Sequence, residues 1–220
     1  FTAYFITPSN KRSQRVAAFQ SCRRLHFTKS GKRELKPLDE YEIPKFLKAI
    51  EGSPYEDIFL VTLFTGLREG EVLGLTWDCI DFDRGILLIN KQLQLHQEKG
   101  IAAYTLVSPK NGKSRTVAAA PSVLARLKHR KVIQAEEKLV AGPLWNNPDG
   151  LVFTDPVGKY LTKPTVYRAF KRAVAAIGRP DARFHDLRHS YAVTALRSGD
   201  DLKTVQRNLG HATAAFTLDV

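Results

Sequence analysis

Arg68 follows Thr65-Gly66-Leu67 and is succeeded three residues on by Glu71. That spacing puts guanidinium and carboxylate on one helical face, where the acid can orient the base. His185 and Arg188 repeat it in FHDLRHSYAV, so a ring nitrogen and a guanidinium can be offered to one anion. His211 comes directly after Leu209-Gly210, where glycine ends a helix and aims the imidazole outward. Lys110 stands in Ser108-Pro109-Lys110-Asn111-Gly112, at the tip of an expected hairpin, and Lys113 is a second candidate for the same place. Singly, each has an ordinary structural account: a salt bridge, a polar helix face, a capping histidine, a solubilising lysine. Together, two arginines can hold the non-bridging oxygens of a phosphodiester, two histidines can donate to those oxygens or move a proton, and a lysine can supply one. Such a set neutralises a pentacoordinate phosphorane without a metal. No acidic cluster of metal-ligand type competes with it, and no cofactor is expected.

These residues need a scaffold, and the patterning supplies one. Asp39 with Glu42 reads as a capping pair opening a helix whose apolar stripe includes Ile43, Phe46, Leu47 and Ile50. Pro44 is expected to disturb its first turn. Ser53-Pro54-Tyr55-Glu56 opens a second helix, all apolar through IFLVTLF and stopped at Gly66. A third, Glu69 to about Leu75, follows almost at once, so Arg68 falls at a tight helix junction. GILLINKQLQ, AAYTLVSPK and SRTVAAA are three β-prone runs separated by Gly or Asn-Gly turns, which predicts a small three-stranded antiparallel sheet. Helical texture returns over Pro121–Leu139, Pro164–Ile177, Phe184–Ser198 and Asp201–Leu209. The fold class is therefore α+β and mostly helical.

The composition agrees with a polyanionic partner. Thirty-four Lys and Arg against 22 Asp and Glu leave a net charge of +12 in 220 residues. The excess is uneven: residues 1–36 carry nine basic residues and one acid, residues 37–100 are net acidic, and residues 101–220 carry nineteen against nine. Residues 1–36 thus read as a basic arm or linker. Cys22 and Cys79, with no Cys-x-x-Cys pairing, suggest neither a disulfide framework nor a zinc site, so a reducing cytoplasm is expected. The longest apolar run, Ile58 to Phe64, is too short to span a bilayer, and no membrane partner is expected. The chain begins at Phe1 and contains no methionine, which reads as a fragment.

TGLREGEVLGLTWDCIDF, SPKNGKSRTV, HDLRHSYAVTALRSGDDLKTVQRNLGH and the closing TLDV, in that order over residues 37–220, resemble the catalytic domain of tyrosine recombinases, especially integrases of phages and conjugative transposons of Gram-positive bacteria. The resemblance implies that Arg68, Lys110, His185, Arg188 and His211 complete the site around a nucleophilic tyrosine, with Glu71 bracing Arg68. That tyrosine is expected just after Val220, in the Leu-Asp-x-Tyr context that Leu218-Asp219-Val220 begins, so the chain as given is expected to bind DNA without cleaving it. Tyr191, six residues past His185 in a helix interior, reads as core. The implied activity is site-specific DNA recombination through a 3′-phosphotyrosine, with double-stranded DNA carrying attachment or transposon-end sites as partner and a homo-oligomer assembled on it. Two rivals remain at this stage. A type IB topoisomerase shares the chemistry. A non-catalytic regulator would use Phe184–Ser198 and Asp201–Leu209, joined by Gly199-Asp200, as a helix-turn-helix, with Lys203, Gln206, Arg207 and Asn208 as possible base readers.

Overall fold

The computed structural model describes residues 36–98, 101–109 and 112–210. The expected basic arm, apart from Lys36, lies outside these residues.

Helix α1 (Glu42–Ile50) opens on the expected pair. Asp39 Oδ1 accepts from the backbone N–H groups of Tyr41 and Glu42 at 2.9 and 2.8 Å, and Glu42 Oε2 accepts from that of Asp39 at 3.0 Å. Pro44 leaves the first turn undisturbed, because an N–H there has no helical partner to lose. Helix α2 (Glu56–Thr65) is buried along most of its surface and ends at Gly66, whose φ of 67° caps it in the left-handed region. Helix α3 (Glu69–Leu73) follows after three residues and stops two residues earlier than the sequence suggested.

Four phenylalanines on four helices join the front of the chain to its back. Phe46 of α1, Phe59 of α2, Phe170 of α5 (Lys163–Ala176) and Phe184 of α6 (Phe184–Arg197) pack with ring centroids 5.7–6.1 Å apart. All four are essentially inaccessible to solvent. Leu38 adds a polar tie, its N–H donating to Ser190 Oγ of α6 at 2.8 Å. Between the two halves lies helix α4 (Pro121–Ala141), which buries Val123 and Leu127.

The strands depart from the expected arrangement. A three-stranded antiparallel sheet is present, in the order β1 (Ile80–Asp81), β2 (Ile86–Ile89), β5 (Arg115–Ala118). The first predicted run, however, breaks at Asn90-Lys91 and continues as β3 (Gln92–Glu98), which pairs with β4 (Ile101–Val107) in a separate ribbon. Strand β5 then returns to β2, not to β4. Strands β4 and β5, which flank the hairpin expected at Asn111-Gly112, are therefore not paired with each other. Apolar alternation locates strands but leaves partner choice to packing. Here α3 makes the choice: its glycines admit the β3 backbone, and a Cβ on Gly70 would lie 3.0 Å from Leu93 O, one on Gly74 2.6 Å from Leu93 N. The last described helix is read correctly. Helix α7 (Leu202–Leu209) is capped by Asp201 Oδ1, which accepts from the N–H groups of Lys203 and Thr204, and ends at Gly210 with φ 63°.

Candidate active site

Arg68 is the N-cap of α3, and Glu71 occupies its third position. The carboxylate reaches back to the Arg68 N–H (2.9 Å from Oε2) and also accepts from Arg68 Nη1 (2.9 Å to Oε1). Sequence spacing alone yields this reciprocal arrangement, and α6 repeats it: the Asp186 carboxylate accepts from the N–H and guanidinium of its own N-cap, Arg183. Glu71 has a second partner that the sequence reading missed. Arg115 of β5 grips it with two parallel bonds, Nη1 to Oε1 at 2.9 Å and Nη2 to Oε2 at 2.7 Å, while its Nε donates to the Asn208 carbonyl at 2.7 Å. Burial alone would raise the Glu71 pKa. The hydrogen bonds and charge of Arg115, then those of Arg68, outweigh it and hold the carboxyl down at about 2. The signal for Arg115 was available. It sits two residues before the buried Val117 on a strand, so alternation aims a guanidinium at the apolar side of the sheet, and so placed it demands an anion.

His185 and Arg188 share a face of α6 but not an environment. His185 opens to solvent, whereas Arg188 is only 2% exposed, and its Nη1 donates to the Gly66 carbonyl at 2.5 Å and its Nη2 to the Leu209 carbonyl. One side chain thus binds the end of α2, two residues before Arg68, to the end of α7, two residues before His211. Burial, then the charge of Arg68, lowers the Arg188 pKa to about 9, which leaves it protonated at neutral pH. For His185, the protein packed around it, then His189, Arg188 and Arg68, push the pKa down to about 4, so the imidazole is neutral at pH 7. The ring of His189 meets it edge-on at 4.7 Å. A neutral imidazole can accept a proton.

The structure thus brings Arg68, Glu71, His185 and Arg188 together, with Arg115 added. Three guanidiniums, those of Arg68, Arg115 and Arg188, act electrostatically on the single Glu71 carboxylate. Positive charge is therefore in surplus by two, and Arg68, with its side chain 37% exposed, is the one that faces outward. Such a surplus can attract an anion, and two arginines with a histidine are chemically suited to a phosphate. Lys110 and His211 lie outside the described residues, while Lys113 is exposed. Tyr191 is half-buried in a small cluster with Ala192, Ala195, Val205 and Leu209, its hydroxyl accepting from Asn208 Nδ2 at 3.0 Å. Among the described residues no group of three or more His, Cys, Asp or Glu is placed to hold a metal ion.

The fold is mixed and mostly helical with a small antiparallel sheet, and it gathers four polar residues around a surplus of positive charge. The chain belongs to the phage integrase family, whose model matches residues 36–219. It is 35% identical over 195 residues to a XerC-like tyrosine recombinase of Caldanaerobacter subterraneus subsp. tengcongensis, covering 85% of this chain and 50% of that one. It is 31% identical over 196 residues to an integrase of Streptomyces ambofaciens, covering 86% of this chain and 49% of that one. The chain therefore spans about half the length of the curated relatives it matches. Among solved structures, the Tn1549 transposon integrase in complex with circular intermediate DNA superposes with a TM-score of 0.70 at 21% identity, over 95% of this chain and 72% of that one. The XerA recombinase gives 0.65 at 22%, over 84% and 59%. These two establish the fold.

Proposed function

We propose that this chain is the catalytic domain of a site-specific DNA recombinase that cleaves and rejoins strands through a 3′-phosphotyrosine. The observation that carries the reading is the surplus of guanidinium charge around Glu71, set beside the neutral His185 on the same helix as Arg188. Arg68, Arg188 and His211 hold the non-bridging oxygens of the scissile phosphate. His185 takes the proton of a tyrosine supplied after Val220 as its oxygen bonds to phosphorus. The bond from phosphorus to the 5′-oxygen breaks, and Lys110 gives that oxygen its proton. The free 5′-hydroxyl of a partner strand later attacks the phosphotyrosine and releases the enzyme, so no bond energy is lost and ATP is not required.

The partner is double-stranded DNA, consistent with the basic balance of the chain, and the assembly on it is a homo-oligomer. Residues 1–36 serve as a basic arm or linker. The protein's place of work is the cytoplasm, where the DNA lies; among the described residues no helix is long and apolar enough to cross a membrane. In the full-length protein, incubation with a duplex carrying the ends of its own mobile element should leave a covalent protein–DNA adduct on a denaturing gel, with the phosphate on tyrosine by mass spectrometry. The 220-residue chain should bind without forming one. Relaxation of supercoiled DNA with no exchange between two sites would favour a topoisomerase, and binding without any adduct from the full-length protein would favour a regulator.

A further inference from the structure

We propose that Arg115 is a positioning residue of this site: it holds Arg68 in place through Glu71 and fastens the end of α7 with the same guanidinium. The proposal rests on the recombinase reading above and adds to it a residue that touches no DNA. Its geometry is that of a brace. The side chain is 10% exposed, its two terminal nitrogens are spent on Glu71, and its Nε on Asn208 O. Glu71, 1% exposed, is in turn bonded to both the backbone and the side chain of Arg68. Gly210 is kept free of a side chain by the same residue, since a Cβ there would meet Arg115 Cδ at 3.1 Å.

Three segments that carry chemistry therefore converge on one buried cation. They are the Arg68 junction, the α7 end that leads to His211, and strand β5, which begins five residues after Lys110. Arg188 fastens the α7 end a second time through Leu209, but it reaches Glu71 only as a neighbouring charge. Arg115 alone bonds both. An ammonium in its place could reach one partner at a time, because the fork of the guanidinium supplies parallel donors that lysine lacks. The charged groups acting on Glu71 are Arg68 from its own helix start, Arg115 from β5 and Arg188 from α6.

The test uses the full-length protein with Arg115→Gln, Arg115→Lys, Glu71→Gln and the Glu71→Gln/Arg115→Gln pair. At saturating duplex, Arg115→Gln should slow adduct formation by about 10²-fold, the cost of a small misplacement of a reacting group. Duplex affinity should stay within a few-fold of the parent, and Arg115→Lys should fall between. Because Arg115 acts through Glu71, the double variant should lose little more than the worse single one. Carbon NMR of the Glu71 carboxyl gives a readout independent of cleavage: it should titrate at clearly higher pH in Arg115→Lys than in the parent. Unchanged adduct formation, affinity lost in parallel with rate, or losses that multiply in the double variant would each overturn the proposal. Should Arg115→Gln fail to fold, the same criteria apply to Arg115→Lys. A parent that forms no adduct sinks the recombinase reading, whereas an unmoved Glu71 titration sinks the brace whatever the parent does.

Discussion

Arg188 shows how one side chain can answer to stability and chemistry together. Its guanidinium binds carbonyls from α2 and α7 while buried, so Arg188→Lys leaves at least one of them without its charged donor. A hydrogen bond to a charged group contributes about 1.5–3 kcal/mol, and urea unfolding of the 220-residue chain should register a loss of that order. Arg68→Lys, at a half-exposed site, should cost less than about 1 kcal/mol; equal losses would mean that Arg188 does not hold the two carbonyls. His185 gives a pH signature. Its pKa lies near 4 in the folded chain against an ordinary 6.5, so between those values the unfolded chain binds more protons and stability rises with pH. The contribution is complete above about pH 6.5 and lost as pH falls through 4, with a small amplitude because the ring opens to solvent. His189, also lowered by burial, acts in the same direction. In His185→Asn the rise in urea midpoint from pH 4 to 6.5 should be flatter than in the parent, and parallel slopes would contradict the shift. Spacing made Arg68, Glu71, His185 and Arg188 legible, because residues three apart on a helix meet whatever the rest of the fold does. Arg115 was less so, since its partner lies 44 positions away and the strand's alternation was the one signal for it.

Helix ends obeyed local rules and were read to within about two residues. Asp39 with Glu42, Gly66, Asp201 and Gly210 each act within a few positions of themselves, so no knowledge of the tertiary fold was needed, whereas the helix expected to open at Ser53-Pro54 begins at Glu56. Strand partners were another matter. Three runs of similar texture offer several antiparallel pairings, and the decision falls to the approach of β3 to α3, which a sequence does not display. The glycines of GEVLG make that decision testable. Gly74 has φ −97°, a conformation open to any residue, so alanine is disfavoured there only by space: its Cβ would sit 2.6 Å from Leu93 N and 2.9 Å from Gln92 C. Backbone cannot rotate aside as a side chain can. Gly74→Ala should therefore destabilise by about 1–3 kcal/mol, as overpacking of a filled site does, despite the better helix propensity of alanine. Thermal unfolding of the variant at or above the parent's midpoint would show that the ribbon does not rest on α3.

At the scale of the molecule, the positive charge is spread unevenly along the chain. Among the described residues the buried apolar clusters run from Leu38 to Leu209, and a compact unit begins at Leu35. Residues 1–34 hold eight of the 34 Lys and Arg and a single acid. A chain beginning at Leu35 keeps every residue of these buried clusters and is expected to unfold with the parent's midpoint. Its affinity for duplex DNA should respond differently. Each phosphate neutralised by Lys or Arg releases condensed counterions and steepens the plot of log K against log salt by about 0.9. If the leading segment is a DNA-binding arm, the shortened chain should show a slope shallower by several such steps, together with weaker binding at low salt. If the segment is a solvated tail, the two slopes coincide, and the positive balance of residues 101–220 carries the interaction alone. Measuring both chains by fluorescence anisotropy on one labelled duplex over a range of potassium chloride separates these outcomes, and a lower unfolding midpoint for the shortened chain would instead assign the segment to the core.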